Sequence, residues 1–173
     1  GDAERLPFAE ASFDAVVSIY GVMFAPDHRL AASELVRACR PGGRIALACW
    51  TPDGFIGDTF RLFARFLPAS PRVQPPISWG DEVYQRGLFG DSAASVTAYP
   101  RTAILRDRSA EENVEFFRTF YGPTRRAFEA LPAERQAALH DALISLVNPY
   151  DRNGGVGPVA IAADYLETVI VKK

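Results

Sequence analysis

The first fifty residues leave this chain little choice of architecture. Phe13 to Ile19 is a short, nearly continuous apolar run centred on Val16 and Val17, the pattern of a strand buried on both faces of a parallel sheet. Pro26-Asp27 then opens a helix with Asp27 as its N-cap, and Ala32, Leu35, Val36 and Cys39 recur at i, i+3, i+4 and i+7 along one apolar face. Arg37 and Arg40 fall near its end, where cations suit the helix dipole. Pro41-Gly42-Gly43 is a turn device, since proline ends the helix and glycine accepts positive φ. Arg44 to Trp50 follows as a second buried strand. Strand, helix and strand at this spacing make a βαβ unit with a right-handed crossover.

Downstream, the pattern predicts a helix from Ile56 to Phe66 with Phe60, Phe63 and Leu67 at helical spacing, then an ordered Pro-rich loop from Pro68 to Pro76. A short helix is expected over Glu82 to Leu88 and a strand over Val96 to Leu105, where Pro100 marks an edge or a bulge. Ser109 with Glu112 forms a capping box that opens a helix carrying Val114, Phe117 and Tyr121. Ala133 to Val147 is a second helix, and Tyr165 to Val171 reads as the last strand. The expected architecture is α/β, a sheet with a helical insert before its final strand. As one partial domain it comprises a βαβα core over 1–67, a loop, short helix and strand over 68–108, an insert or lid over 109–150, and a turn and strand over 151–173.

Composition excludes several functions. With 173 residues, 48% apolar and 23% charged, the chain is long and apolar enough for a core without staples. Its 19 basic and 21 acidic residues give a net charge of −2, no footprint for a nucleic-acid backbone or an anionic membrane. Cys39 in a helical pattern and Cys49 in a strand pattern read as buried thiols, so a reducing cytoplasm is the expected compartment. The apolar run from Val156 to Val171 is broken by Asp164 and Glu167, and no membrane span is expected. His28 and His140 lack neighbours at metal-ligand spacing and are assigned surface or packing roles, with no metal site. Gly154-Gly155-Val156-Gly157 lacks the flanking strand and helix of a nucleotide loop and is read as a mobile turn.

Motifs at the amino end carry the functional signal. Asp2-Ala3-Glu4 precedes Leu6-Pro7-Phe8, Phe13-Asp14 opens the strand, and Glu34 and Arg37 precede Arg40-Pro41-Gly42-Gly43. In order and spacing this resembles the middle of a class I S-adenosylmethionine-dependent methyltransferase. Trp50-Thr51-Pro52, Trp79-Gly80-Asp81 and the segment from Phe116 to Pro123 extend the resemblance to a bacterial small-molecule subgroup. It implies a Rossmann-like sheet, here N-terminally truncated, because the family's glycine-rich loop and ribose-binding acidic residue are not among these residues.

The resemblance also implies S-adenosyl-L-methionine as cofactor and assigns it residues. Asp2 would accept from the adenine amine, the Ala3 amide would meet a ring nitrogen, and Glu4 belongs to the same turn. Ser18, Ile19 and Tyr20 would face the methionine part, with Met23 beside the sulfonium or the substrate entrance. A carboxylate next to an amide does match the donor–acceptor edge of adenine. The same residues otherwise make a solvated acidic turn, and Tyr20 and Phe24 otherwise pack the next helix. Glu34 and Arg37 read as a scaffold pair three residues apart on one helix.

Phe24, Trp50, Trp79, Phe117 and Tyr121 are the candidate lining for a small, partly apolar acceptor, and no residue stands out as a general base. Two functions follow. One is methyl transfer to a small-molecule acceptor, with this chain by itself incomplete for cofactor binding. The other is a non-catalytic homologue that forms homo-oligomers through an exposed sheet edge.

Overall fold

The structure, a computed structural model, describes residues 1–68 and 74–173. The expected Pro-rich loop falls largely in 69–73, outside the described residues. The elements are β1 (Phe13–Ile19), a 3-10 turn (Val22–Phe24), α1 (His28–Ala38), β2 (Cys39–Trp50), α2 (Phe55–Phe66), a second 3-10 turn (Pro76–Gly80), α3 (Glu82–Phe89), β3 (Ala93–Asp107), α4 (Ala110–Phe120), α5 (Gly122–Glu129), α6 (Ala133–Val147) and β4 (Val159–Lys172). The four strands lie in the order β1-β2-β4-β3, so the helical insert does precede the last strand. Two compact units result. One holds Gly1–Pro52, Pro71–Arg101 and Tyr165–Lys173, the other Asp53–Ser70 and Thr102–Asp164.

In the first unit β1 pairs with β2 in parallel and β2 with β4 antiparallel. The registers Ile45↔Ile170, Leu47↔Thr168 and Cys49↔Leu166 put six buried residues on one face, as strand alternation requires. On α1, Ala31, Ala32, Leu35 and Ala38 are buried. Burial pushes the Cys49 thiol up to about 12, so it packs as an inert small hydrophobe.

Three expectations about this unit change. Helix α1 stops at Ala38, and Cys39 opens β2 instead of completing the helical face. The Lys172 ammonium donates to the carbonyls of Val36 and Cys39 at 3.0 and 2.9 Å, satisfying acceptors the helix end leaves open. The turn at 40–43 is not a spacer between helix and strand. The register jumps from Phe13↔Cys39 to Ala15↔Arg44, so these residues bulge from the β1–β2 pairing. Gly43 belongs there because a Cβ would sit 2.7 Å from Cys39 Sγ and 2.9 Å from the Asp14 carbonyl oxygen. The third change is β1 itself, predicted to be buried on both faces. It is an edge strand with Val17 and Ile19 exposed by 62% and 69%. Its sequence suits a central strand, but among the described residues its one sheet neighbour is β2 and no layer covers these two side chains.

The second unit packs Leu62 and Phe63 of α2 against Val114, Ala127, Phe128, Leu131, Leu139 and Leu143. Ser109 caps α4 by accepting from the Glu112 amide at 3.2 Å. Helix α4 ends before Tyr121, because Gly122-Pro123 starts α5. The glycine turn at 154–157 is bracketed by hydrogen bonds to one carboxylate. The Asp151 carboxylate accepts from the amides of Asn153, Gly155 and Ala160 at 3.1, 2.9 and 2.9 Å, while Gly154, Gly155 and Gly157 supply positive φ. Strand β3 ends the strand order, and Pro100 lies on this edge strand, the position where a sheet tolerates proline.

His28 takes the packing role. It is fully buried, its Nδ1 lies 2.8 Å from the Tyr84 hydroxyl, and its ring centroid is 5.5 Å from that of Trp79. Nε2 has no partner among the described residues, and burial holds the pKa below 6.5. A proton therefore binds the unfolded chain more readily than the folded one. The contribution of neutral His28 is complete above pH 6.5 and is lost as pH falls below it. Urea denaturation at about pH 7.5 and about pH 5.5 should show lower stability at the acid value, and His28→Phe should flatten that difference.

Candidate functional site

An open cavity of about 590 Å³ lies in the first unit between the amino-terminal segment, β1 and α1. Its lining draws Asp2, Ala3, Leu6 and Phe8 from the amino-terminal segment, Val16 and Ser18 from β1, and Leu35 and Ala38 from α1. The acidic turn at its end is tightly wound. The Arg5 amide donates to the Asp2 carbonyl at 3.1 Å, and the Glu4 amide donates to Asp2 Oδ1 at 2.9 Å. The Ala3 amide makes no hydrogen bond among the described residues. A carboxylate with spare acceptor capacity thus stands beside an unused donor.

Helix α1 holds this segment. Glu4 turns away from the cavity, its Oε1 accepting from the Asp27 amide at 2.6 Å. Glu34 Oε2 accepts from the Leu6 amide at 2.8 Å, and Arg37 donates to the carbonyls of Leu6 and Phe8 at 3.1 and 2.7 Å. The two side chains pair at 2.7 Å. Hydrogen bonds from Arg37 and then from the Leu6 amide bring the Glu34 carboxyl down to about 2, so it is ionised across the neutral range.

The other sequence-derived site residues scatter. Ser18 is in the cavity lining, and its hydroxyl accepts from the Val22 amide at 3.0 Å to start the 3-10 turn. Met23 and Trp79 have no exposed surface, and Phe24 is 38% exposed. Ile19 and Tyr20 line a separate depression of about 280 Å³ with Ala46, Ala48 and Tyr165. There Tyr20 stacks on Trp50 with centroids 3.9 Å apart and planes 3° from parallel, and Tyr165 meets both rings edge-on. Burial, with Tyr165 and Cys49 nearby, pushes the Tyr20 phenol up to about 12. Phe117 and Tyr121 lie in the second unit, where Phe117 contacts Phe55 and Tyr121 is half-buried, with desolvation raising the pKa of its phenol.

The cavity thus collects Asp2, Ala3 and Ser18 and leaves Glu4, Ile19, Tyr20 and Met23 outside its lining. Sequence reasoning did not select the apolar walls Leu6, Phe8, Phe13 and Val16, although Leu6-Pro7-Phe8 and Val16 were conspicuous as motif and strand. No group of three His, Cys, Asp or Glu placed to hold a metal occurs among the described residues. No described helix is long and apolar enough to cross a membrane.

Residues 1–47 match a family model described as a methyltransferase domain, and they include the whole acidic turn, β1, α1 and the start of β2. The chain carries the class I methyltransferase fold. An uncharacterized protein of Mycobacterium tuberculosis is 41% identical over 160 residues, which cover 88% of this chain and 57% of that protein. A demethylmenaquinone methyltransferase of Mycolicibacterium paratuberculosis is 36% identical over 112 residues, covering 64% of this chain and 46% of that protein. The chain therefore spans about half the length of the curated relatives it matches. Among solved structures, the YcgJ protein from Bacillus subtilis aligns over 100% of this chain and 69% of its own, with TM-score 0.54 and 19% identity. The BH2331 protein from Bacillus halodurans aligns at TM-score 0.54 and 15% identity, over 99% of this chain and 69% of its own.

The stacked corner has a checkable cost in its backbone, since Tyr20 sits at φ 57°, in the left-handed region. Glycine accepts that conformation without strain. Tyr20→Ala should therefore destabilise the fold more than Tyr20→Gly, by about 1 kcal/mol in denaturant unfolding.

Proposed function

We propose that the protein carrying this chain transfers a methyl group from S-adenosyl-L-methionine to a small-molecule acceptor, and that the cavity beside Asp2 and Ala3 receives the adenine end of the cofactor. One observation carries the reading. The Asp2 carboxylate and the unused Ala3 amide stand together at the end of an apolar cavity of about 590 Å³. Adenine presents an amine donor beside a ring acceptor, which this pair complements, and Leu6, Phe8 and Val16 suit the faces of a flat ring. Ser18, contributed to the same lining by β1, is the residue proposed for the methionine side.

Bound, the cofactor supplies an already activated methyl group on its sulfonium. The chain's own residues then have three tasks: to hold the adenosine, to orient it along β1, and to keep water from the apolar walls. Phe24, Tyr20 and Trp50 are the proposed acceptor-side residues in the first unit. A demethylmenaquinone methyltransferase among the relatives favours a small apolar acceptor, and the net charge of −2 disfavours a nucleic acid. Asp2 is the one acidic residue in the cavity lining among the described residues, so the ribose hydroxyls find no second carboxylate there. On this reading the 173-residue chain alone binds the cofactor weakly.

Calorimetric titration of the native-length protein with S-adenosylhomocysteine tests the assignment. Replacing Asp2 by alanine removes a charged acceptor and should weaken binding about 10- to 100-fold. Affinity unchanged in Asp2→Ala would sink the reading.

A further inference from the structure

The segment from Gly1 to Ser12 has little to hold it in place. Apart from the turn at Asp2–Arg5 it forms no regular element, and most of its side chains are exposed. A stretch without regular structure and with little buried surface stays mobile unless it is tied down. Its ties run to α1. Beyond the Glu4 contact to the Asp27 amide, they are the Leu6 amide to Glu34, the Leu6 and Phe8 carbonyls to Arg37, and the Ala11 amide to the Arg37 carbonyl at 2.8 Å.

This is more than a helical surface ion pair, which by itself contributes little. In an extended segment a residue's N–H and C=O point the same way, and a neighbouring strand ordinarily supplies one acceptor and one donor. Here Glu34 accepts from the Leu6 N–H and Arg37 donates to the Leu6 C=O, so the two side chains stand in for the missing strand partner. Their mutual geometry is fixed as well. Glu34 Oε1 takes Arg37 Nε at 2.7 Å and Oε2 takes Arg37 Nη2 at 2.8 Å, a fork-on-carboxylate pairing that lysine cannot reproduce. The pair stands on α1, whose opposite face is anchored by buried Ala31, Ala32, Leu35 and Ala38.

We infer that Glu34 and Arg37 are positioning residues for the cofactor: they pin the backbone at Leu6 and Phe8, and so hold Asp2 and Ala3 at the end of the cavity. The inference rests on the cofactor reading of that cavity. Neither residue touches the cofactor, and their effect passes through the segment they hold.

The test uses the native-length protein, S-adenosylhomocysteine as probe, and hydrogen exchange as a second readout. Arg37→Ala and Glu34→Ala should each weaken binding by about tenfold or more and remove amide protection from Glu4 to Leu6, while Ile45 to Leu47 in β2 keep theirs. Arg37→Lys keeps the charge without the fork and should also lose affinity. Glu34→Gln keeps an acceptor for the Leu6 amide and should recover part of what Glu34→Ala loses. In an Asp2→Ala background the Arg37→Ala penalty should shrink, since both act through one contact. If the Glu34 and Arg37 variants keep β2 protection and bind like wild type while Asp2→Ala binds weakly, the positioning role is overturned and the cavity assignment stands. If Asp2→Ala also binds like wild type, the cavity assignment falls first.

Discussion

The first unit is built on the two-sided pairing of β2. One edge of this strand takes β1 in parallel and the other takes β4 antiparallel, and its inward residues Ile45, Leu47 and Cys49 face Ile170, Thr168 and Leu166 across the ladder. Because side chains alternate with period two, a slip of one residue would turn that whole set to the opposite face. Register, burial and the placement of β1 are therefore one constraint. The bulge at 40–43 lets the chain leave α1 and still enter that register, and it depends on Gly43 having no side chain.

From β2 the constraint passes outward to the cavity. Helix α1 is buried along Ala31, Ala32, Leu35 and Ala38, which leaves its other side free to carry Glu34 and Arg37. Those charged groups act on backbone atoms rather than on each other alone, and the hydrogen bonds they form keep Glu34 ionised. The order of dependence is packed helix, charged clamp, held segment, then the carboxylate and amide at the cavity end. A polar arrangement so far from the core is kept in place by apolar packing two steps away.

Much of this was legible in the residues. The βαβ unit, the Asp27 cap, the Ser109 cap and the helical insert before the last strand all follow from periodicity and capping chemistry, which are local. The family was legible too, in the spacing of the acidic turn, the Glu34 and Arg37 pair and the Pro41-Gly42-Gly43 turn. Less legible was anything that needed a distant partner. Cys39 continues the helical period of α1, yet Lys172, 133 residues away, meets the carbonyls at that helix end and the chain turns into β2. The glycines at 154–157 read as loose, but Asp151 gathers three amides around them.

What the sequence by itself determined is the set of local elements and the family they belong to, because caps, turns and hydrophobic periods act over a few residues. Only the tertiary structure decided which motif residues share a space. Asp2, Ala3 and Ser18 meet across one cavity, whereas Tyr20, two residues from Ser18, stacks on Trp50 beyond its lining. Strand pleat would put residues two apart on one face, and the left-handed turn at Tyr20 breaks that pattern, which no spacing in the chain makes visible. The same holds for Glu34 and Arg37. Sequence spacing pairs them with each other, and the fold gives them the backbone of Leu6 and Phe8 to hold.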